Sequence, residues 1–208
     1  MSHLRRSLAR QDLADIPAFH RIAATSALNP KYKTHFRMAE PDDAEFIFSL
    51  RADDELSRHL NKGADDVVAQ RQWLERYKER ERDGLEFYFV IAHDRVPHGV
   101  VRMYDFREID GRSSFCWGSW IIPPPKVSGL ATVSAVMVYE LGFDALGFEA
   151  CHFDVRQFNG SVLAFHLRAG ATFTHQEGED LHFRFTPENA LAFRLRSQRQ
   201  VAEHRIPI

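Results

Sequence analysis

Apolar positions along the chain alternate between stretches of helical spacing and stretches of strand composition. The folded domain is expected to begin at His35-Phe36-Arg37-Met38-Ala39, after which Glu40-Pro41-Asp42-Asp43 puts a proline and carboxylates in a first helical turn. Ala44, Ile47, Phe48 and Arg51 continue at helical spacing. A second helix is predicted over 65–81, with Val68, Trp73 and Tyr77 among its apolar positions and Gly84 ending it. Residues 85–93 have a strand composition. Val96-Pro97-His98-Gly99 reads as a turn into a second strand over 100–106, and Asp110-Gly111 is a hairpin signal that pairs it with 115–122.

Three prolines, Pro123 to Pro125, stop that strand because proline offers no ladder donor. A long helix is predicted over 129–146, with a stripe of Val133, Val136, Met137, Leu141 and Ala145 and a C-cap at Gly147. There follow a strand over 149–156, a short helix over 159–168 closed by Gly170, and a hairpin of 172–177 with 181–186 across Gly178. A C-terminal helix opens at Thr186-Pro187-Glu188 and runs to about Gln200. Residues 1–33 stand apart as an extension, expected to be mobile or loosely docked, with a short helix over 8–21 and a linker at Asn29-Pro30. Residues 34–208 are expected to form a single domain that includes the C-terminal helix.

Composition narrows the class. The chain of 208 residues is 44% hydrophobic and 27% charged, which excludes a disordered polymer. Its 27 Lys and Arg against 29 Asp and Glu show no basic excess, so a nucleic-acid partner is not expected. Cys116 and Cys151 have neither metal-ligand spacing nor the density of a disulfide framework. No apolar window is long enough for a membrane span, and no apolar stretch follows the basic start. A soluble, cytoplasmic protein is the expectation, and the scattered histidines suggest no metal site.

Two segments carry candidate chemistry. Trp117-Gly118-Ser119-Trp120-Ile121-Ile122, the prolines and Lys126-Val127-Ser128-Gly129-Leu130-Ala131 make a strand, a loop and a helix N-terminus. Such a loop leaves amides free to bind an anion, with the helix dipole behind them. Downstream, Asp154-Val155-Arg156-Gln157-Phe158-Asn159 leads from a strand into a helix carrying Val162, His166, Gly170 and Ala171.

Together the two segments resemble the GNAT superfamily of acetyl-CoA-dependent N-acetyltransferases, over roughly residues 35–186. The first matches the family's Arg/Gln-x-x-Gly-x-Gly/Ala loop with Lys126 leading and Ala131 closing. The second matches an Asn-led helix at Asn159, Val162, His166, Gly170 and Ala171. The resemblance is closest to the branch of ribosomal-protein and amino-sugar acetyltransferases. It implies an α/β (α+β) fold: a mostly antiparallel central sheet whose two parallel central strands splay apart, with flanking helices.

The resemblance also implies acetyl-CoA as co-substrate, with Lys126, Val127, Ser128, Gly129, Leu130 and Ala131 at its pyrophosphate. Ile121 and Ile122 would pair with the pantetheine arm, an amide near Ile121 would polarise the carbonyl, and Asn159 would assist. A β-bulge at Gly118-Ser119 would open the splay. His166 stands where the family has a tyrosine acid and becomes the candidate acid, as imidazolium or through a water. Candidate bases are Asp154, His152, Asp105 and Glu108.

Trp117 and Trp120, three apart, are expected on opposite faces, with Trp120 and Asp154 assigned to the acceptor. Arg51, Arg102 and Arg107 are candidates for an anionic acceptor. The expected partner is a small-molecule amine such as an amino sugar. Alternatives are a protein N-terminal or lysine acetyltransferase, or a non-catalytic acyl-CoA-binding module, and a homodimer is left open.

Overall fold

The computed structural model describes residues 17–208. Seven strands form one sheet in the order β1-β2-β3-β4-β5-β7-β6. They are β1 (Thr34–Met38), β2 (Phe87–His93), β3 (Val96–Ile109), β4 (Arg112–Ile121), β5 (Ala150–Arg156), β6 (Thr172–Glu177) and β7 (Asp180–Phe185). Every pairing is antiparallel except β4 with β5, which is parallel and central. The helices are α1 (Ala18–Ala23), α2 (Ala44–Ala52), α3 (Asp54–Ser57), α4 (Val67–Arg82), α5 (Leu130–Tyr139), α6 (Gly160–Ala169), α7 (Pro187–Arg196) and α8 (Gln198–His204).

The period-two alternation of β2 feeds two cores. Phe87, Phe89 and Ile91 join Leu130, Val133 and Met137 of α5 on one face. Tyr88 and Val90 meet Ile47 of α2 and Leu74 and Tyr77 of α4 on the other. A sheet buried on both faces explains why β2 reads as an unbroken apolar run.

From the helix at 44 onward the expected elements occur in the expected order; β1 and the short α3 are additions to it, and the other departures are local. The turn into β3 lies at Asp94 and Arg95, with φ of 48° and 65°, and Val96–Gly99 belong to the strand instead. Asp110-Gly111 makes the expected hairpin, with φ of 53° and 72°. The predicted helix over 129–146 is α-helical only to Tyr139 and then widens into a π-turn, Glu140–Ala145. The C-terminal helix breaks at Ser197 into α7 and α8.

Part of the expected extension is docked. Ile22 of α1 is fully enclosed in the main core, and the Arg21 guanidinium donates to Leu146 O at 2.9 Å. Full burial of an isoleucine is worth about 2 kcal/mol, so this segment is not loosely held. Of the helix predicted over 8–21, residues 8–16 lie outside the described residues. Among the described residues no helix is long and apolar enough to cross a membrane.

Candidate active site

The parallel pair β4–β5 is registered at only three positions, Ser114 with Ala150, Phe115 with Cys151 and Cys116 with His152. Beyond them the strands part around a cavity of about 890 Å³, lined by Trp117, Gly118 and Ser119 on one side and Phe153, Asp154 and Arg156 on the other. The cause lies in β4. Against β3, Val100 faces Ile121 while Arg102 faces Gly118, so β4 carries one residue too many over that span. Ser119 takes up the excess in the left-handed region, at φ 47°. A bulge bends its strand, and here it turns the end of β4 away from β5, as expected at Gly118-Ser119.

The bulge also overturns the expectation that Trp117 and Trp120 face opposite sides. One extra residue flips the alternation, and the two rings pack edge to face at 5.4 Å, both against His166. Trp120 Nε1 donates to Ser134 Oγ of α5 at 3.2 Å. Trp120 thus lines the cavity where it packs on α5 and α6.

The loop after the prolines presents the expected donors. Leu130 N–H is taken by Val127 O at 3.1 Å, closing a tight turn. Among the described residues the amides of Lys126, Val127, Ser128 and Gly129 have no acceptor, and the exposed Lys126 ammonium has no partner. Gly129 sits at φ 79°, which a residue with a Cβ adopts only under strain. The remaining residues of this set offer only backbone. Leu130 and Ile121 have buried side chains in the two cores, Ile122 packs on the first, and Ala131 O accepts from Ser134 Oγ. Asn159 caps α6, its side-chain oxygen accepting from Val162 N–H and Ser161 Oγ, and it reaches the cavity.

His166 lies in an aromatic box, 4.3 Å from the Phe153 ring and 5.3 Å from Trp117, and is 4% exposed. Burial pushes its imidazole down to about 4. Burial favours the neutral ring near pH 7, which speaks for the second of the two routes expected from sequence, through a water, over the imidazolium. Its Nδ1 is enclosed without a partner, which leaves Nε2 as the nitrogen with access to the cavity.

On the other face of the sheet, Asp154 projects into the cavity, exposed and with no ion pair or hydrogen bond among the described residues. The Tyr104 hydroxyl lies over Gly118, where an added Cβ would approach it to 2.9 Å; burial first, then Cys116, raises this phenol well above its ordinary value. The other base candidates do not line the cavity. His152 bridges Ser114 Oγ at 2.8 Å and Asp105 Oδ2 at 3.0 Å, stitching β3, β4 and β5 just before they part. Asp105 also pairs with Arg107 at 3.3 Å, and Arg107 does not line the cavity.

The lining also carries basic and aromatic side chains: Arg51 of α2, Trp73 and Arg76 of α4, and Tyr88 and Arg102 of the sheet. The Arg102 guanidinium is 4.9 Å from the Trp73 ring and 5.1 Å from Tyr104, and Glu86 pairs with it at 2.6 Å. Trp73, Arg76, Tyr88 and Tyr104 were not singled out from sequence as site residues. Trp73 and Arg76 stand three apart on one helix face, the one local signal that pointed here. A cross-strand group on the β6–β7 hairpin, His175, Glu177 and His182, brings possible metal-ligand atoms within 4.8 Å of one another, and Glu177 and His182 also line the cavity.

The family description "Acetyltransferase (GNAT) domain" matches residues 33–172. Among solved structures, apo FdhC, a nucleotide-linked sugar GNAT, is similar at 39% identity over 82% of this chain and 96% of its own, with a TM-score of 0.74. Mycobacterium smegmatis RimJ, in complex with CoA-disulfide, shares the fold at 19% identity over 80% and 90%, TM-score 0.66. Vibrio cholerae spermidine N-acetyltransferase, in complex with CoA and spermine, does so at 16% over 76% and 98%, TM-score 0.64. A search of curated proteins returned no match.

Proposed function

Because the chain belongs to the GNAT acetyltransferase family and is an N-acetyltransferase, we propose that it moves the acetyl group of acetyl-CoA onto the amine of a nucleotide-linked amino sugar. The observation that carries the acceptor class is the polarity of the cavity. Asp154 lines it together with Arg51, Arg76 and the Trp73 ring. A molecule with an amine at one end and a nucleoside diphosphate at the other satisfies both: carboxylate to ammonium, guanidinium to phosphate, indole to base. A polyamine would bring its positive charge against Arg51 and Arg76.

In this reading the pyrophosphate lies on the amides of Lys126–Gly129 with the Lys126 ammonium beside it. The pantetheine arm runs along the β5-facing edge of β4, which has no partner strand beyond Cys116. Asp154 takes the proton that the ammonium gives up to become a nucleophile; the amine nitrogen then attacks the thioester carbonyl carbon, and the second proton it sheds passes through solvent to the departing sulfur. The carbon–nitrogen bond forms, the carbon–sulfur bond breaks, and His166 offers Nε2–H as a hydrogen bond to the departing thiolate. As a neutral imidazole it donates a hydrogen bond throughout the physiological range. Positioning of amine and thioester supplies most of the acceleration.

The test is release of free CoA thiol from acetyl-CoA with three acceptors: a nucleoside-diphosphate-linked amino sugar, spermidine, and a peptide with a free N-terminus. Turnover with the first well above the other two is expected. Turnover confined to spermidine or to the peptide would overturn the acceptor class, and failure to bind acetyl-CoA would overturn the whole reading.

A further inference from the structure

We propose that His204, at the end of α8 and outside the matched family region, is a positioning residue that aims the phosphate loop. The inference rests on the proposed place of the acetyl-CoA pyrophosphate. His204 is 4% exposed, and its Nε2 lies 2.8 Å from Ser128 O in the middle of that loop. A carbonyl only accepts, so Nε2 carries the proton and Nδ1 of the neutral ring is an acceptor. Nδ1 lies 2.7 Å from Thr34 Oγ1 of β1, and the same hydroxyl lies 2.7 Å from His93 Nδ1 of β2. The directions of the three bonds then follow in order. His93 Nδ1–H donates to Thr34, Thr34 O–H donates to His204, and His204 Nε2–H donates to Ser128 O. Thr34 and His93 are 1% and 8% exposed, so the chain runs in the interior.

The consequence follows from peptide geometry. In a planar trans unit the C=O of Ser128 and the N–H of Gly129 point in opposite directions. Holding the carbonyl inward on His204 therefore aims the Gly129 amide outward, to the side where the phosphate is proposed. Glycine makes the lock necessary, because a residue without Cβ accepts either orientation of the adjoining peptide. Glycine also makes it fit, since a Cβ at position 129 would lie 3.1 Å from His204 Nε2. Two helices beyond the matched region thus serve to hold one ring against the loop.

The test is calorimetric affinity of the wild type and variants for CoA and for pantetheine, which lacks the diphosphate, together with steady-state kinetics. His204→Phe keeps the ring and removes both hydrogen bonds. It is expected to weaken CoA about tenfold, to raise KM for acetyl-CoA by the same factor, and to leave pantetheine affinity and kcat unchanged. His204→Gln, which keeps a donor near the Nε2 position, is expected to restore most of the loss. Thr34→Val, a change of shape small enough to leave the fold intact, is expected to give an intermediate loss. Equal affinity of His204→Phe and wild type for CoA would overturn the role, as would a parallel loss for CoA and pantetheine. A wild type that binds no CoA would instead overturn the site reading on which the role depends.

Discussion

Replacing His166 by phenylalanine isolates one titration in the aromatic box. The side chain is enclosed, lies 4.3 Å from the Phe153 ring, and leaves Nδ1 without a partner. Burial pushes its pKa from 6.5 down to about 4 in the folded state. The unfolded chain therefore binds the proton more tightly, and stability falls as pH drops through the window between those values. At pH 4.5 the linkage amounts to about 2.5 kcal/mol, and at pH 7.5 it has all but vanished.

Urea unfolding of wild type and His166→Phe at both pH values measures the difference directly. Buried histidines elsewhere titrate in both proteins and cancel. Wild type should lose about 2–3 kcal/mol more than the variant on acidification. At pH 7.5 the variant should be as stable or slightly more so, because an unpaired buried nitrogen has been removed. Equal losses in the two proteins would refute the neutral, desolvated ring, and with it the assignment of His166 as a hydrogen-bond donor rather than a cationic acid.

Asp154→Asn should lower kcat at least about a hundredfold, the scale of a lost proton acceptor, with KM for acetyl-CoA unchanged and the melting temperature within a degree or two. Gly129→Ala should cost about 1–2 kcal/mol of stability from its left-handed backbone and weaken CoA binding, read by thermal shift and calorimetry. Arg76→Met should raise KM for an anionic acceptor severalfold and leave KM for acetyl-CoA alone, as a kinetic comparison of the two substrates would reveal.

Local signals made the loop and the two helix starts of the proposed cofactor half legible in the sequence. The loop and the helix it opens are continuous in the chain, and Gly129 and Asn159 announce the two helix starts through residue type alone. Turn chemistry located the Asp110-Gly111 hairpin for the same reason. It misplaced the preceding turn, because Asp94 and Arg95 adopt positive φ without a glycine and Pro97 drew the reading downstream. The five-residue β1 and the four-residue α3 are too short for a periodic signature, and the expectations for this region contained neither.

The acceptor half was hidden for a different reason. Trp73 and Tyr88 belong to elements that read as ordinary apolar stripes, and only the packing of α4 on β2 brings them to one wall. Arg102 was singled out, but its pairing with Glu86 depends on the β2–β3 register. The resemblance implies the bulge at Ser119, but strict period-two alternation carried across it puts the two tryptophans on opposite faces. His204 was unremarkable in a terminal helix until tertiary contact set it beneath the loop.

The central claim is that the amides after the prolines receive the diphosphate of CoA. Titration of isotopically labelled protein with CoA, followed by amide resonances, addresses it most directly. The resonances of Val127, Ser128 and Gly129 should shift strongly and saturate together, with Trp117 and Ser119 moving in step as the arm enters between the strands. Saturable CoA binding that leaves those loop amides in place would contradict the account.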